Sequence, residues 1–227
     1  SASLFMVHPY TSAEQLGWAV HVSTNGDQAL ADRLADELAD RAWQERDVPL
    51  PEMLTIDQDL SRADEGLGAR LGPVTFVDVD DIVGAGAPGG NTRLLAGALG
   101  TKKRGLIPIH DPALVAELWE KPLGTRHSVV VRGTPGYGMP EVSVRGVLAA
   151  RRDGDFGRTV LLEVGTLSVA LCEAPPLPIH PSFWRDLGKE PRQADFIVQK
   201  NFFHYRMFYA LTSFTHLPVI SEGATNL

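Results

Sequence analysis

Apolar residues recur along the chain with two periods, and the places where one gives way to the other outline its elements. Over residues 17–24, Trp18, Val20 and Val22 alternate with Ala19, His21 and Ser23, the pattern of a strand. Asn25-Gly26 turns the chain and Asp27 is placed to cap a helix over residues 28–46. Leu30, Leu34, Leu38 and Trp43 return there at helical spacing, while Asp32, Asp36, Glu37, Asp40 and Arg41 form a solvated face. Pro49 and Pro51 break the chain, and Ile56, Leu60 and Ala63 predict a second helix over residues 55–66. Val74, Phe76, Val77 and Val79 predict a short buried strand over residues 73–79. A loop of small residues follows, then a helix capped by Asn91 or Thr92, with Leu94, Leu95, Ala98 and Leu99 as its apolar residues. Residues 105–109 read as a strand; Asp111 caps the next helix with Pro112 at its first position and Leu114, Val115 and Leu118 facing inwards.

After Gly124 the period changes. Residues 127–132, 141–149, 159–164 and 167–172 read as strands in quick succession, with turns at residues 133–138, at Asp153-Gly154 and at Gly165. Pro175 to Pro181 form a stiff connector. Residues 182–187 read as a short helix capped by Ser182, and residues 196–198 and 217–220 as strands. The predicted fold is mixed α/β (α+β): a partly parallel sheet with flanking helices, plus an antiparallel β insertion. The division expected is an α/β part over 1–123, a β-rich insertion over 124–175 and a return to the α/β core over 176–227. Crossovers of one hand would place the C-terminal ends of the parallel strands on one edge, where ligands usually sit.

Composition narrows the function classes. A net charge of −7 disfavours a nucleic-acid or anionic-membrane partner. No apolar run has the length of a membrane span and no signal peptide is present, so a cytoplasmic location is the expectation. The single cysteine, Cys172, excludes an internal disulfide framework and sits in an apolar strand, a poor place for a nucleophile. Both ends fall in mid-pattern, as in a fragment, a processed chain or one subunit of a split protein.

The strongest chemical signal lies at residues 73–99. Three acids, Asp78, Asp80 and Asp81, stand at the strand end before Gly84, Ala85, Gly86, Ala87, Pro88, Gly89 and Gly90. Glycines let backbone N–H groups turn towards a bound atom, and a helix follows. No Gly-Lys-Ser/Thr completes a Walker loop, and Gly84, Gly86 and Gly89 have dinucleotide-fingerprint spacing only within a longer loop. A tight strand-to-helix crossover and a ligand-facing loop both remain open. The second constellation is Lys200, His204 and Arg206. Lys200 and His204 would share one face of a helix and make a cationic pocket for a carboxylate or an oxyanion. The other reading is structural ion pairs with Asp78, Asp80 or Asp81. The seven histidines include no His-Glu-x-x-His and no His-x-His step, so the sequence offers no self-contained zinc site. Phe202, Phe203, Tyr205, Phe208, Tyr209 and Phe214 read as core, with a minority available to line an apolar substrate pocket.

The run DDIVGAGAPGGNTRLL resembles the signature of the C-terminal part of MlrC-type proteins, the M81 metallopeptidase family that includes linearised-microcystin hydrolase. The family shows an Asp-Asn-Pro-Gly-Gly-Gly-Ala-Pro-Gly-Asp-like segment there. This chain keeps Asp81, Gly84, Gly86, Ala87, Pro88, Gly89 and Thr92 and departs at Ile82, Val83, Ala85 and Gly90, where the family acid is lost. The family's Lys-Ser-x-x-His-Phe-Arg matches Lys200, His204 and Arg206, and its strand, Thr-x-Gly-Asp and helix ending in Trp-x-x-Arg match residues up to Trp43 and Arg46. His8-Pro9-Tyr10 stands where the family has Gly-Phe-Pro. The resemblance implies the C-terminal half of a zinc-dependent amide or peptide hydrolase for small or linearised peptides. It implies that zinc is bound by Asp and His residues of an N-terminal half or subunit and not by this chain, which would be that half's partner. It assigns His204, Lys200 and Arg206 to the catalytic group and Asp81, Gly84, Gly86, Gly89, Asn91 and Thr92 to substrate binding. A homo-oligomer is compatible with it. The alternative is a non-catalytic binding or scaffold subunit whose glycine loop holds an anion or a partner chain.

Overall fold

The Asp27 carboxylate accepts from Leu30 N at 2.9 Å and so starts the first helix, α1 (Gln28–Gln44). The computed structural model describes residues 1–7, 14–48, 53–63 and 66–225; His8, Pro9, Tyr10, Pro49 and Pro51 lie outside the described residues. Contacts divide the chain into two units, Ser1–Pro51 and Glu52–Leu227. In the first, α1 packs on β2 (Ala19–Val22), which pairs antiparallel with β1 (Ala2–Phe5), from Ala2 opposite Val22 to Phe5 opposite Ala19. β1 has too short a pattern to be read from the sequence and was not expected. Trp43, expected on the apolar stripe, is 68% exposed.

The second unit is built on one eight-stranded sheet. Its first helical pattern splits in two, α2 (Ile56–Arg62) and α3 (Gly66–Leu71), in place of the single helix expected over 55–66. Then come β3 (Val74–Asp78), α4 (Arg93–Ala98), β4 (Gly105–His110) and α5 (Pro112–Leu118). The β-rich stretch gives β5 (Arg126–Val131), β6 (Val142–Gly154), β7 (Gly157–Val164) and β8 (Leu167–Cys172). The chain ends with α6 (Ser182–Asp186), β9 (Phe196–Gln199), α7 (Tyr205–Tyr209) and β10 (Thr215–Val219).

The strand order is β10-β3-β9-β4-β8-β7-β6-β5. β10, β3, β9, β4 and β8 run parallel, and β7, β6 and β5 continue antiparallel from β8. The four strands of the β-rich stretch therefore extend the same sheet, because β8 closes in parallel on β4. The turn expected at Asp153-Gly154 lies further on: β6 runs through Gly154, and Gly157, at φ 66°, starts the return. Pro181, and not Ser182, caps α6.

Both faces of the parallel strands are covered, which is why they read as continuous apolar runs. On one face Phe76, Ile107, Ile109 and Phe196 pack with Leu94, Leu95, Leu114 and Leu118. On the other, Val77, Leu106 and Ile197 pack with Trp184, Tyr205 and Tyr209. Sealing both faces leaves the strand ends as the places where polar side chains gather. None of the described helices is long and apolar enough to cross a membrane.

Candidate functional site

The C-terminal ends of β3, β9, β4, β8 and β10 form one rim, the edge at which open parallel sheets usually carry their ligands. At its centre Lys200, the residue after β9, extends its ammonium to Asp78 Oδ2 at 3.0 Å and Asp81 Oδ2 at 2.7 Å. All three side chains are at most 1% exposed. Ser221, just past β10, donates through Oγ to the other oxygen of Asp78, and Asn91 Nδ2 donates to Ser221 Oγ at 2.8 Å. Burial would pull the Lys200 ammonium down, but Asp81 and Asp78 beside it hold it above its ordinary value. Two carboxylates share that one cation, so burial, opposed by Lys200, raises the Asp78 carboxyl. The structure thus places Lys200 in a buried ion pair and not on a helix with His204: β9 ends at Gln199, and α7 starts only at Tyr205 with His204 as its cap.

Asp81 explains the glycine loop. Its Oδ1 accepts from Gly89 N at 2.9 Å and its Oδ2 from Asn91 N at 2.8 Å. Further amides are spent inside the loop, Gly86 N on Val83 O and Ala87 N on Ile82 O. The atom towards which these N–H groups turn is therefore the chain's own carboxylate, so few donors remain for an outside anion. Val83 N bonds Lys200 O at 3.0 Å, which brings the loop and the end of β9 together. Thr92 Oγ1 donates to Pro140 O at 2.6 Å. Gly84 and Gly86 stand at the exposed bend, whereas Gly89, Asn91 and Thr92 are buried beneath it. At Gly90 a Cβ would lie 2.1 Å from Thr134 Oγ1 and 2.3 Å from Thr134 N. The family acid has no room here while the loop around Thr134 stays where it is.

His204 and Arg206 are exposed, and among the described residues no hydrogen bond or ion pair joins their side chains to residues 81–92. Arg206 instead acts on Tyr205 and His216, beside the start of β10. Of the aromatic residues expected in the core, only Tyr205 and Tyr209 are buried. Phe202, Phe203, Phe208 and Phe214 are 45%, 63%, 41% and 43% exposed.

Sequence reasoning weighs His110 with Asp111 as a pair and sets it aside because Asp111 reads as a helix cap; the structure brings His110 into the site. His110 ends β4, and its backbone N bonds Gly89 O at 3.0 Å. Its ring lies between Thr134 Oγ1, 2.8 Å from Nδ1, and Glu173 O, 3.1 Å from Nε2. Burial lowers its pKa despite the hydrogen bond to Glu173, so the ring is neutral at pH 7. Its neighbour Asp111 caps α5 as expected, Oδ1 accepting from Leu114 N at 3.1 Å, while Oδ2 accepts from Arg132 N and Gly133 N. Together they tie the loop after β5 to the glycine loop. The Cys172 thiol is pushed up to about 12 by burial, which removes it as a nucleophile.

A metal does not fit these residues. Among the described residues no group of three or more His, Cys, Asp or Glu side chains is placed to hold one. The acidic cluster is already engaged: Asp78 and Asp81 as above, and Asp80 by Ser221 N and Glu222 N, both 2.7 Å from Oδ2.

This is a mixed α/β domain whose rim is a glycine loop fastened by a buried ion-pair network. The chain belongs to the MlrC C-terminus family, whose model matches residues 76–227. Its fold is similar to that of a crystal structure described as "Putative metallopeptidase" from Mesorhizobium sp. BNC1, with a TM-score of 0.83 and 21% identity. The likeness covers 99% of this chain and 47% of that one, so this chain spans about half of its length. No curated protein matches the chain.

Proposed function

We propose that this chain is the C-terminal, substrate-facing part of a zinc-dependent amide or peptide hydrolase of the MlrC type, acting on small or linearised peptides. The metal would be held by an N-terminal half or subunit. The observation that carries this reading is the family match over residues 76–227, which takes in the whole rim from β3 to Ser221. The solved neighbour's description as a metallopeptidase agrees with it.

In this reading Gly84 and Gly86 bring an open backbone bend against the substrate, and Asp81, Gly89, Asn91 and Thr92 fix its shape from beneath. Lys200 acts through Asp81 as a positioning residue. A bend held by a buried network loses no conformational freedom when substrate arrives. His204 and Arg206, both exposed, are the groups free to meet substrate: His204 to donate or shuttle a proton, Arg206 to receive a carboxylate.

The test is zinc analysis and peptide hydrolysis with the chain alone, with the N-terminal half alone and with both mixed. Metal and activity together only in the mixture are expected; hydrolysis by this chain alone, or none in the mixture, overturns the reading. In the complete enzyme, His204→Ala should lower kcat/KM by about a hundredfold with an unchanged unfolding midpoint. The second reading, a non-catalytic binding or scaffold subunit, is favoured by one observation: every carboxylate of the acidic cluster is already engaged. It predicts a stable complex without hydrolysis.

A further inference from the structure

The first unit is too small for the helix it carries. α1 has 17 residues and spans about 25 Å, whereas β1 and β2 have four residues each and span about 13 Å. A two-stranded sheet leaves both outer edges unpaired and is marginal by itself. The burial agrees with this. All of β1 is exposed, β2 is at most half-buried, and Ala31 is the one buried apolar residue among the unit's described residues.

Large apolar side chains lie uncovered on both sides of the strands. Phe5 is 57% exposed, Trp18 51% and Trp43 68%. Two open grooves flank α1: one of about 680 Å³ beside Leu4, Trp18, Val20 and Trp43, the other of about 700 Å³ beside Ala2, Leu34 and Leu38. Solitary exposed apolar residues are ordinary, but Leu4, Trp18, Val20 and Trp43 line one groove together beside the strand pair, and such a set marks a surface that another element covers; the second groove is more polar, with Glu37, Asp40, Arg41 and Gln44 along it.

Two further observations bear on which element. The family match begins at residue 76 and so leaves this unit outside the C-terminal module. The similar solved chain continues well beyond the matched region, since this chain accounts for 47% of it, and the unit itself is within the 99% that superposes. We infer that β1, β2 and α1 are the outlying strand pair and helix of a second sheet, whose remaining strands and apolar side chains come from the N-terminal half. That half adds strands to the open edge of the β1–β2 pair and fills the grooves beside α1. The inference rests on the two-half reading above and adds the surface by which the halves are held. Main-chain pairing along an edge gives affinity, and the aromatic residues give register.

The test uses the full chain and the polypeptide encoded immediately upstream of it, produced separately. Amide exchange of residues 2–5 and 19–22 should be fast in the chain alone and slow by at least about a hundredfold in the complex. Phe5→Lys and Trp43→Lys replace side chains already exposed; each should weaken the complex about tenfold or more, whereas Phe203→Lys and Met207→Lys on and before α7 should change it less than about twofold. If the halves bind but only the α7 variants weaken them, the inference is overturned and the two-half reading stands. If no complex forms, both fail. If β1 and β2 are already protected in the chain alone, as a monomer or through a second copy, the N-terminal half is not the occupant and the inference falls.

Discussion

Lys200 Nζ stands 2.7 Å from Asp81 Oδ2, and that same oxygen takes the backbone N–H of Asn91 at 2.8 Å. One carboxylate thus joins the end of β9 to the glycine loop after β3. Removing the cation leaves two buried carboxylates facing each other. Lys200→Met is expected to destabilise the chain by about 3–5 kcal/mol, measured by urea unfolding. Arg206→Ala, on an exposed side chain, should cost less than about 1 kcal/mol. A Lys200→Met variant as stable as the parent would show that the ion pair does not hold the rim.

Gly90 and Gly86 separate space from backbone freedom. A Cβ at Gly90 meets Thr134 Oγ1 and the Thr134 backbone, so Gly90→Ala forces that loop aside; a loss of about 2–3 kcal/mol is expected. Gly86 has open space around it but sits at φ 97°, so Gly86→Ala should cost only about 1 kcal/mol from the strained backbone. Equal losses at the two sites would contradict the crowding at Thr134.

The strands and the Asp111 cap were legible because period and capping are local. Of the fastening of the rim, only the pairing of Lys200 with the acids after β3 was legible, as the structural ion-pair reading. Ser221 reaches Asp78 only because β10 lies next to β3, a neighbour relation that nothing in residues 215–221 announces. The four-residue step from Lys200 to His204 suggested a shared helix face, but the strand runs up to the lysine and the helix starts after the histidine. The phenylalanines after residue 201 read as core because they are apolar. Yet α7 is a five-residue helix whose buried side is filled by Tyr205 and Tyr209, leaving the others outside. The glycine loop was readable as a tight bend, but the bound atom inside it, the Asp81 carboxylate, follows only from the fold.

His110 should show a single neutral tautomer. Glu173 O can only accept, so Nε2 carries the proton, and Nδ1 accepts from the Thr134 hydroxyl. Nitrogen chemical shifts at about pH 7 should report the Nε2–H form. Thr134→Val removes the donor to Nδ1 and should speed amide exchange at Gly133 and Gly90 while leaving β4 protected. A ring that titrates near its ordinary value, or carries the Nδ1 proton, would refute this arrangement.

His216 gives the chain a pH dependence of defined sign. Its ring is pushed from 6.5 to about 4, first by burial and then by the Arg206 guanidinium, while the Tyr205 hydroxyl lies 3.0 Å from Nδ1. Between these two values the unfolded chain binds a proton at His216 and the folded chain does not. Stability from this group is therefore complete above 6.5 and is lost as pH falls towards 4. Buried Asp78 works in the opposite direction, because its raised carboxyl favours the folded state as pH falls, so the total slope alone does not isolate the histidine. The comparison that does is His216→Gln, which keeps a polar side chain without the titration. The difference between parent and variant in urea midpoint should shrink steadily from about pH 7 to about pH 4.5. Arg206→Ala should raise the His216 pKa and move that window upward, read directly from the ring's proton shifts. A difference that stays constant with pH would show that the fold does not depress His216, and an Arg206→Ala variant with an unmoved His216 titration would place the guanidinium away from the ring.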